Sequence, residues 1–131
     1  MEHDVQEYYD LLLEMGRSAH EASATAYRRL RELLEHLCRT QLTDSSLQMT
    51  DLSARISFVA AKIGLSVAEQ NRLHTIRLTS NAVLNRQADA RPAELLRDIK
   101  TTAFFIRRLT GTEIPEPLYR LLPRTDATLW G

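Results

Sequence analysis

Leu73-His74-Thr75-Ile76-Arg77-Leu78-Thr79-Ser80-Asn81-Ala82-Val83-Leu84-Asn85 is the stretch whose reading decides the fold class. On a helical wheel, Leu73, Ile76, Ser80, Val83 and Leu84 occupy one arc, the pattern of an amphipathic helix. His74, Arg77, Asn81 and Asn85 follow at spacings of three, four and four. At about 3.6 residues per turn they share one narrow sector beside the apolar arc, with Leu78 on the far side of Asn85. Half-buried polar groups need partners. The file therefore predicts a mating surface or a site, and does not by itself predict a reaction.

Helical patterning continues in both directions. Upstream, Ser66-Val67-Ala68-Glu69 is a capping box that opens this helix, and Gly64 stops the one before it, whose Leu52, Ile56, Val59 and Ile63 share a face. Downstream, the segment around Gln87 to Arg91 reads as a turn, and Pro92 suits the first position of a further helix. Leu95, Ile99, Ala103, Ile106 and Leu109 line that helix's face, and Gly111 ends it. Nearer the N-terminus, Val5, Tyr8, Tyr9, Leu12 and Met15 have helical spacing, and Gly16 permits a break. The longest helix then carries Ala19, Ala22, Ala26, Leu30, Leu33 and Leu37, with i,i+4 pairs from Arg28 to Glu32 and Arg31 to Glu35. Period-two alternation bounded by turn residues is missing.

The expected architecture is an all-α, up-and-down bundle of four to five helices. Their ranges fall near 4–15, 17–39, 52–63, 66–86 and 92–110. Residues 1–113 form the bundle domain, and 114–131 form an irregular C-terminal tail or linker. Pro115, Pro117 and Pro123 limit that tail to extended chain and at most one helical turn. Its apolar groups, Leu129 and Trp130 among them, need cover, so the tail either folds back on the bundle or meets another domain. The core is expected to contain Leu30, Leu33, Leu37, Ile56, Val59, Leu73, Ile76, Val83, Ile99 and Ile106.

Composition bounds the function. Seventeen basic and seventeen acidic side chains cancel, which argues against a dedicated high-affinity nucleic-acid binder without excluding a local basic patch. No apolar run approaches the roughly 20 residues of a membrane span. The first residues lack the order of a signal peptide, so a cytoplasmic protein is expected. The single cysteine, Cys38, leaves no internal disulfide and reads as a small core residue. His36 and Cys38 are two apart on a helix and point to different sides. A metal site there would need distant help from His20 or His74, so neither metal nor cofactor is expected. Glycine-rich phosphate loops, nucleophile elbows and carboxylate pairs are likewise missing.

The pattern Arg31-x-x-Leu34-Glu35-x-Leu37-Cys38, followed by Ile76-Arg77-x-x-x-Asn81-x-x-x-Asn85, resembles the HEPN superfamily of small helical domains. It also resembles the HEPN-like domain attached to bacterial restriction-enzyme subunits and helicases. The resemblance covers roughly residues 19–111 and implies a bundle of four or five helices that pairs through the Arg-Asn helix. In ribonuclease members, the Arg and a final His of that motif cleave RNA at the dimer interface. Here Arg77 matches the Arg and Asn81 the intervening polar residue, but Asn85 stands where the His would be. Asn has no acid–base function near neutral pH.

The expectation is therefore a non-catalytic dimerisation or docking module, the N-terminal accessory domain of a larger helicase-like or restriction-type DNA-processing protein. Its partner is a second copy or another domain of the same chain. His74, Arg77, Asn81 and Asn85 form the interface or candidate site, and Arg28 and Arg31 are candidate nucleic-acid contacts. Two alternatives stand beside it: a divergent HEPN ribonuclease using His74 and Arg77, and a small nucleic-acid-binding domain using Arg28, Arg31 and Arg77.

Overall fold

The computed structural model describes residues 4–42 and 51–124. The polar, short-side-chain stretch 41–50 reads as a loop, and all of it but its first two residues lies outside that range, as do Leu129, Trp130 and the first three residues. Among the described residues six helices follow one another: α1 (Val5–Arg17), α2 (Ser23–Thr40), α3 (Leu52–Ile63), α4 (Val67–Leu84), α5 (Pro92–Thr110) and α6 (Glu116–Leu121). Among the described residues there is no strand, and the fold is an all-α bundle. No described helix is long and apolar enough to cross a membrane.

Local chemistry explains several of the helix ends. Ser66 Oγ accepts from Glu69 N and the Glu69 carboxylate accepts from Ser66 N, completing the capping box that starts α4. Asp51 caps α3 by accepting from Ala54 N at 2.9 Å. Gly64 and Gly111 end α3 and α5 at φ 73° and 74°, a left-handed conformation that glycine adopts without steric cost. Pro92 opens α5.

Two boundaries differ from the sequence reading. Gly16 does not break α1, which continues to Arg17. It is buried beneath the Leu121 side chain of α6, so its missing Cβ serves close approach rather than termination. The break comes at residues 18–22, where Ser18 Oγ donates to the Glu14 carbonyl at 3.0 Å and Ala22 N bonds to Ser18 O. Consequently α2 starts at Ser23, not near residue 17. The alanines at 19 and 22 keep helical spacing across the gap, and that disguises it in the sequence.

All ten expected core residues are buried. Helix α2 packs against α1, α3, α4 and α5, while α4 is held by α2, α3 and α5. The tail forms more structure than a single helical turn. Pro115 and Pro117 flank the start of α6 instead of obstructing its interior, and Pro123 lies just past its end. From α6, Leu118 and Leu122 enter the core, and Tyr9 OH donates to Thr112 O at 2.6 Å. Helix α6 packs on α1, and the middle of α5 is enclosed on every side: each residue from Asp98 to Ile106 is buried. A helix buried all round has no exposed polar face to spare, and its polar groups must be satisfied internally.

Arg108 shows how that satisfaction works. It pairs with buried Glu69 at 3.0 Å and donates to the Ile63 and Gly64 carbonyls at the end of α3. One side chain thus serves the α4 capping box and the exposed α3 terminus together. Arg108→Ala is expected to cost about 1–3 kcal/mol in urea denaturation, because Glu69 and two carbonyls lose their donor. A loss below about 0.3 kcal/mol would show that water replaces the guanidinium.

Candidate functional site

The α4 polar file divides into two parts around the helix. His74 and Arg77 are half-buried, whereas Asn81 and Asn85 are exposed. Arg77 Nε donates to His74 Nδ1 at 3.3 Å, and His74 Nε2 lies 3.4 Å from Ser57 Oγ on α3. With Nδ1 accepting, the neutral imidazole carries its proton on Nε2. Burial, and secondly the adjacent Arg77 guanidinium, hold His74 below the ordinary imidazole value of 6.5. The ring is therefore neutral at pH 7. Asn85 Nδ2 donates to Asn81 Oδ1 at 3.3 Å, and Asn85 is the residue that caps the end of α4.

Arg31 joins this group from α2. It pairs with Glu35 at 3.1 Å and donates from Nη1 to the Arg77 carbonyl at 3.3 Å. Arg31, Arg77 and Asn81, together with Asp51 and Ser53 at the start of α3, line a cleft of about 130 Å³. The structure thus brings together Arg31 and Arg77 but leaves Arg28 exposed and outside that cleft. The volume is small, and Asp51, already the α3 cap, places a carboxylate beside the two guanidinium groups.

The outward face of α4 carries a further feature. Val67 is 77% and Leu78 56% exposed. Eleven residues separate them, about three full turns, so they point the same way, in line with Asn85 and flanked by His74 and Asn81. Large apolar side chains are thus interleaved with the polar file on the side facing away from the core. Helical spacing alone places Leu78 beyond Asn85 and does not show how exposed it is.

Elsewhere the structure pairs residues that sequence patterning did not. Tyr8 OH lies 3.0 Å from His36 Nε2, which ties His36 to α1. Tyr27 OH donates to Asp98 Oδ2 at 2.7 Å inside the bundle, and Lys100 Nζ donates to Pro123 O at 2.6 Å. The signal for Asp98 was its position three residues after Leu95 and four before Thr102, within the buried stripe of α5. Cys38 is fully buried, and burial pushes its thiol up to about 12. It therefore packs as an apolar group and lacks the thiolate that a nucleophile or metal ligand needs. Among the described residues no group of three or more His, Cys, Asp or Glu side chains is placed to hold a metal ion.

No protein-family model matches the chain, and neither a curated protein nor a solved structure is significantly similar to it.

Proposed function

We propose that the chain is a non-catalytic helical module that pairs with a second copy of itself through the outer face of α4. We further propose that it serves as the accessory domain of a larger DNA-processing protein of the helicase-like or restriction type. The observation that supports pairing is the exposed Leu78, with Val67 in line with it, set among His74, Asn81 and Asn85. With Leu78 at a two-fold axis it meets its own symmetry mate, and the residues around it meet one another's counterparts. Leucine then meets leucine, and the carboxamides of Asn81 and Asn85 supply donors and acceptors of both kinds. Arg77 adds a charge that requires a carboxylate or carbonyl opposite. The accessory role follows the HEPN-like resemblance of the Arg77 and Asn81 motif.

Light scattering at high micromolar concentration tests the pairing. The wild-type chain is expected to run as a dimer, Leu78→Glu as a monomer, and Arg77→Ala with weakened association. A monomeric wild-type chain would remove the seam.

The His74–Arg77 contact favours a second reading, the divergent ribonuclease, because it joins a neutral imidazole to a guanidinium. Against it, both imidazole nitrogens already face partners within the chain, and Asn85 supplies no proton. RNA cleavage that disappears in both His74→Ala and Arg77→Ala would establish that reading in place of the first.

A further inference from the structure

Charge is distributed unevenly about the exposed ridge of α4, and the unevenness dictates how two copies meet. The ridge carries Val67, Leu78 and Asn85. Arg77 is turned about 100° to one side of Leu78, and Thr79 about 100° to the other. On the Arg77 side stand His74 and Asn81, with α3 beside them. On the Thr79 side stand the start of α5 and the turn before it. There Leu78, Thr79 and Ala82 form one wall of a cleft of about 450 Å³, and Ala88, Asp89, Arg91 and Glu94 form the other.

The two flanks differ in sign. The cleft is lined by two carboxylates, Asp89 and Glu94, and one guanidinium, Arg91, so it is net negative. On the opposite flank His74 is neutral and Arg31 is matched by Glu35. Arg77 is the cation left over. Its Nε is committed to His74, and among the described residues no carboxylate pairs with its other nitrogens. Asp51, in the small cleft on that side, is exposed and accepts from the α3 backbone, so water screens it from Arg77.

A two-fold axis that lies in the seam and passes Leu78 has two limiting directions. If the axis runs across α4, the helices are antiparallel and each flank faces its own copy: Arg77 meets Arg77, and the Asp89–Glu94 cleft meets itself. If it runs along α4, the helices are parallel and each flank faces the other kind. Opposed like charges disfavour the first arrangement, and charge complementarity favours the second. We infer that two copies of this chain pair with their α4 helices parallel, Arg77 of each entering the Asp89–Glu94 cleft of the other. The levels agree, because Arg77 and Leu78 differ by only about 1.5 Å along the axis and Leu78 itself lines the cleft. Thr79, Ala82 and Ala88 have short side chains, which leaves width for a planar guanidinium. The inference rests on the pairing proposed above and adds to it a direction and an ion pair made twice per dimer.

The direction is read from a nitroxide at Asn71→Cys, exposed and seven residues before Leu78, in the full chain carrying Cys38→Ala. Parallel copies bring the two labels together across the seam. Antiparallel copies hold them about 21 Å apart along the helices. The ion pair is read from charge reversal. Arg77→Glu alone, and Asp89→Arg combined with Glu94→Gln, are each expected to weaken self-association about tenfold, while an equimolar mixture of the two recovers it as a heterodimer. In antiparallel copies each variant would oppose like charges as the wild type does, and neither would weaken association. Circular dichroism checks that both variants fold, and the label distance is read with the wild-type charges in place, so it decides even where a variant does not. A monomeric wild-type chain removes the pairing and this inference with it. A wild-type dimer that Leu78→Glu dissociates, but which shows the longer label distance or ignores both charge variants, leaves the pairing standing and overturns the parallel seam alone.

Discussion

Ile76→Ala is expected to lower the stability of the bundle by about 2–5 kcal/mol. Ile76 is fully buried in the helix that α2, α3 and α5 hold between them. Truncation removes three methyl or methylene groups from a site whose walls belong to packed helices, so little collapse is available to refill the space. Leu33→Ala, on the facing helix, belongs to the same class. Guanidinium denaturation monitored by circular dichroism gives the value, and a loss below about 0.5 kcal/mol would mean the cavity closes almost completely. The comparison with Leu78 carries the functional meaning. Leu78 lies two residues on, about 200° around the helix, and is exposed where Ile76 is not. Ile76→Ala is therefore expected to destabilise the fold while the folded fraction still associates, whereas Leu78→Glu abolishes association with little change in stability. If both substitutions acted on stability alone, the outer face of α4 would have no binding role.

The contrast between those two residues also marks where the sequence was legible. Core positions such as Leu30, Ile56 and Ile99 follow helical periodicity because burial of one apolar stripe is the dominant energy of an amphipathic helix. Termini set by local chemistry were equally clear: Ser66 with Glu69, Gly64, Gly111 and Pro92 act within one turn of themselves. What resisted reading depended on distant residues. Gly16 looked like a helix break because its purpose is set by Leu121, more than a hundred residues away in the chain. The tail prolines looked prohibitive because their positions relative to the α6 start are a matter of register. Lys100, Thr101 and Thr102 are polar residues that spacing on one helix does not mark as buried, and their burial depends on how the other helices pack around α5.

The candidate site shows the same division. The angular alignment of His74, Arg77, Asn81 and Asn85 is a property of one helix and could be drawn from spacing alone. The contact of Arg31 with the Arg77 carbonyl and the separation of Arg28 from the cleft depend on how α2 lies against α4, and that is a tertiary matter. Similarly, Lys100, Arg107, Tyr119 and Arg124 come to line one cavity only after the chain reverses at Gly111.

The buried pair of Tyr27 and Asp98 is expected to make this protein gain stability on mild acidification. Asp98 is 4% exposed, and burial is the main cause that raises its carboxyl from 3.8 to about 6. The charge of Glu94 pushes in the same direction. The Tyr27 hydrogen bond and the Arg72 and Arg97 charges oppose it without cancelling it. Because the folded value lies above the unfolded one, the folded state holds the proton more tightly between the two. The resulting stabilisation is complete below about pH 4 and is lost as pH rises through about 6. A difference of about two units corresponds to roughly 3 kcal/mol. Asp98→Asn keeps an oxygen to accept from the Tyr27 hydroxyl but cannot ionise, so the variant is expected to lack this dependence. Relative to wild type, it should gain about 2–3 kcal/mol on going from pH 4 to pH 7. Tyr27→Phe acts oppositely: it removes a donor that matters most to the charged carboxylate, so its cost grows over the same interval. Urea denaturation of the three proteins at half-unit steps of pH separates these cases. A wild-type-to-Asn difference that stays constant from pH 4 to 7 would mean that Asp98 is ionised throughout, and the interior around α5 would then have to be far more polar than its packing indicates.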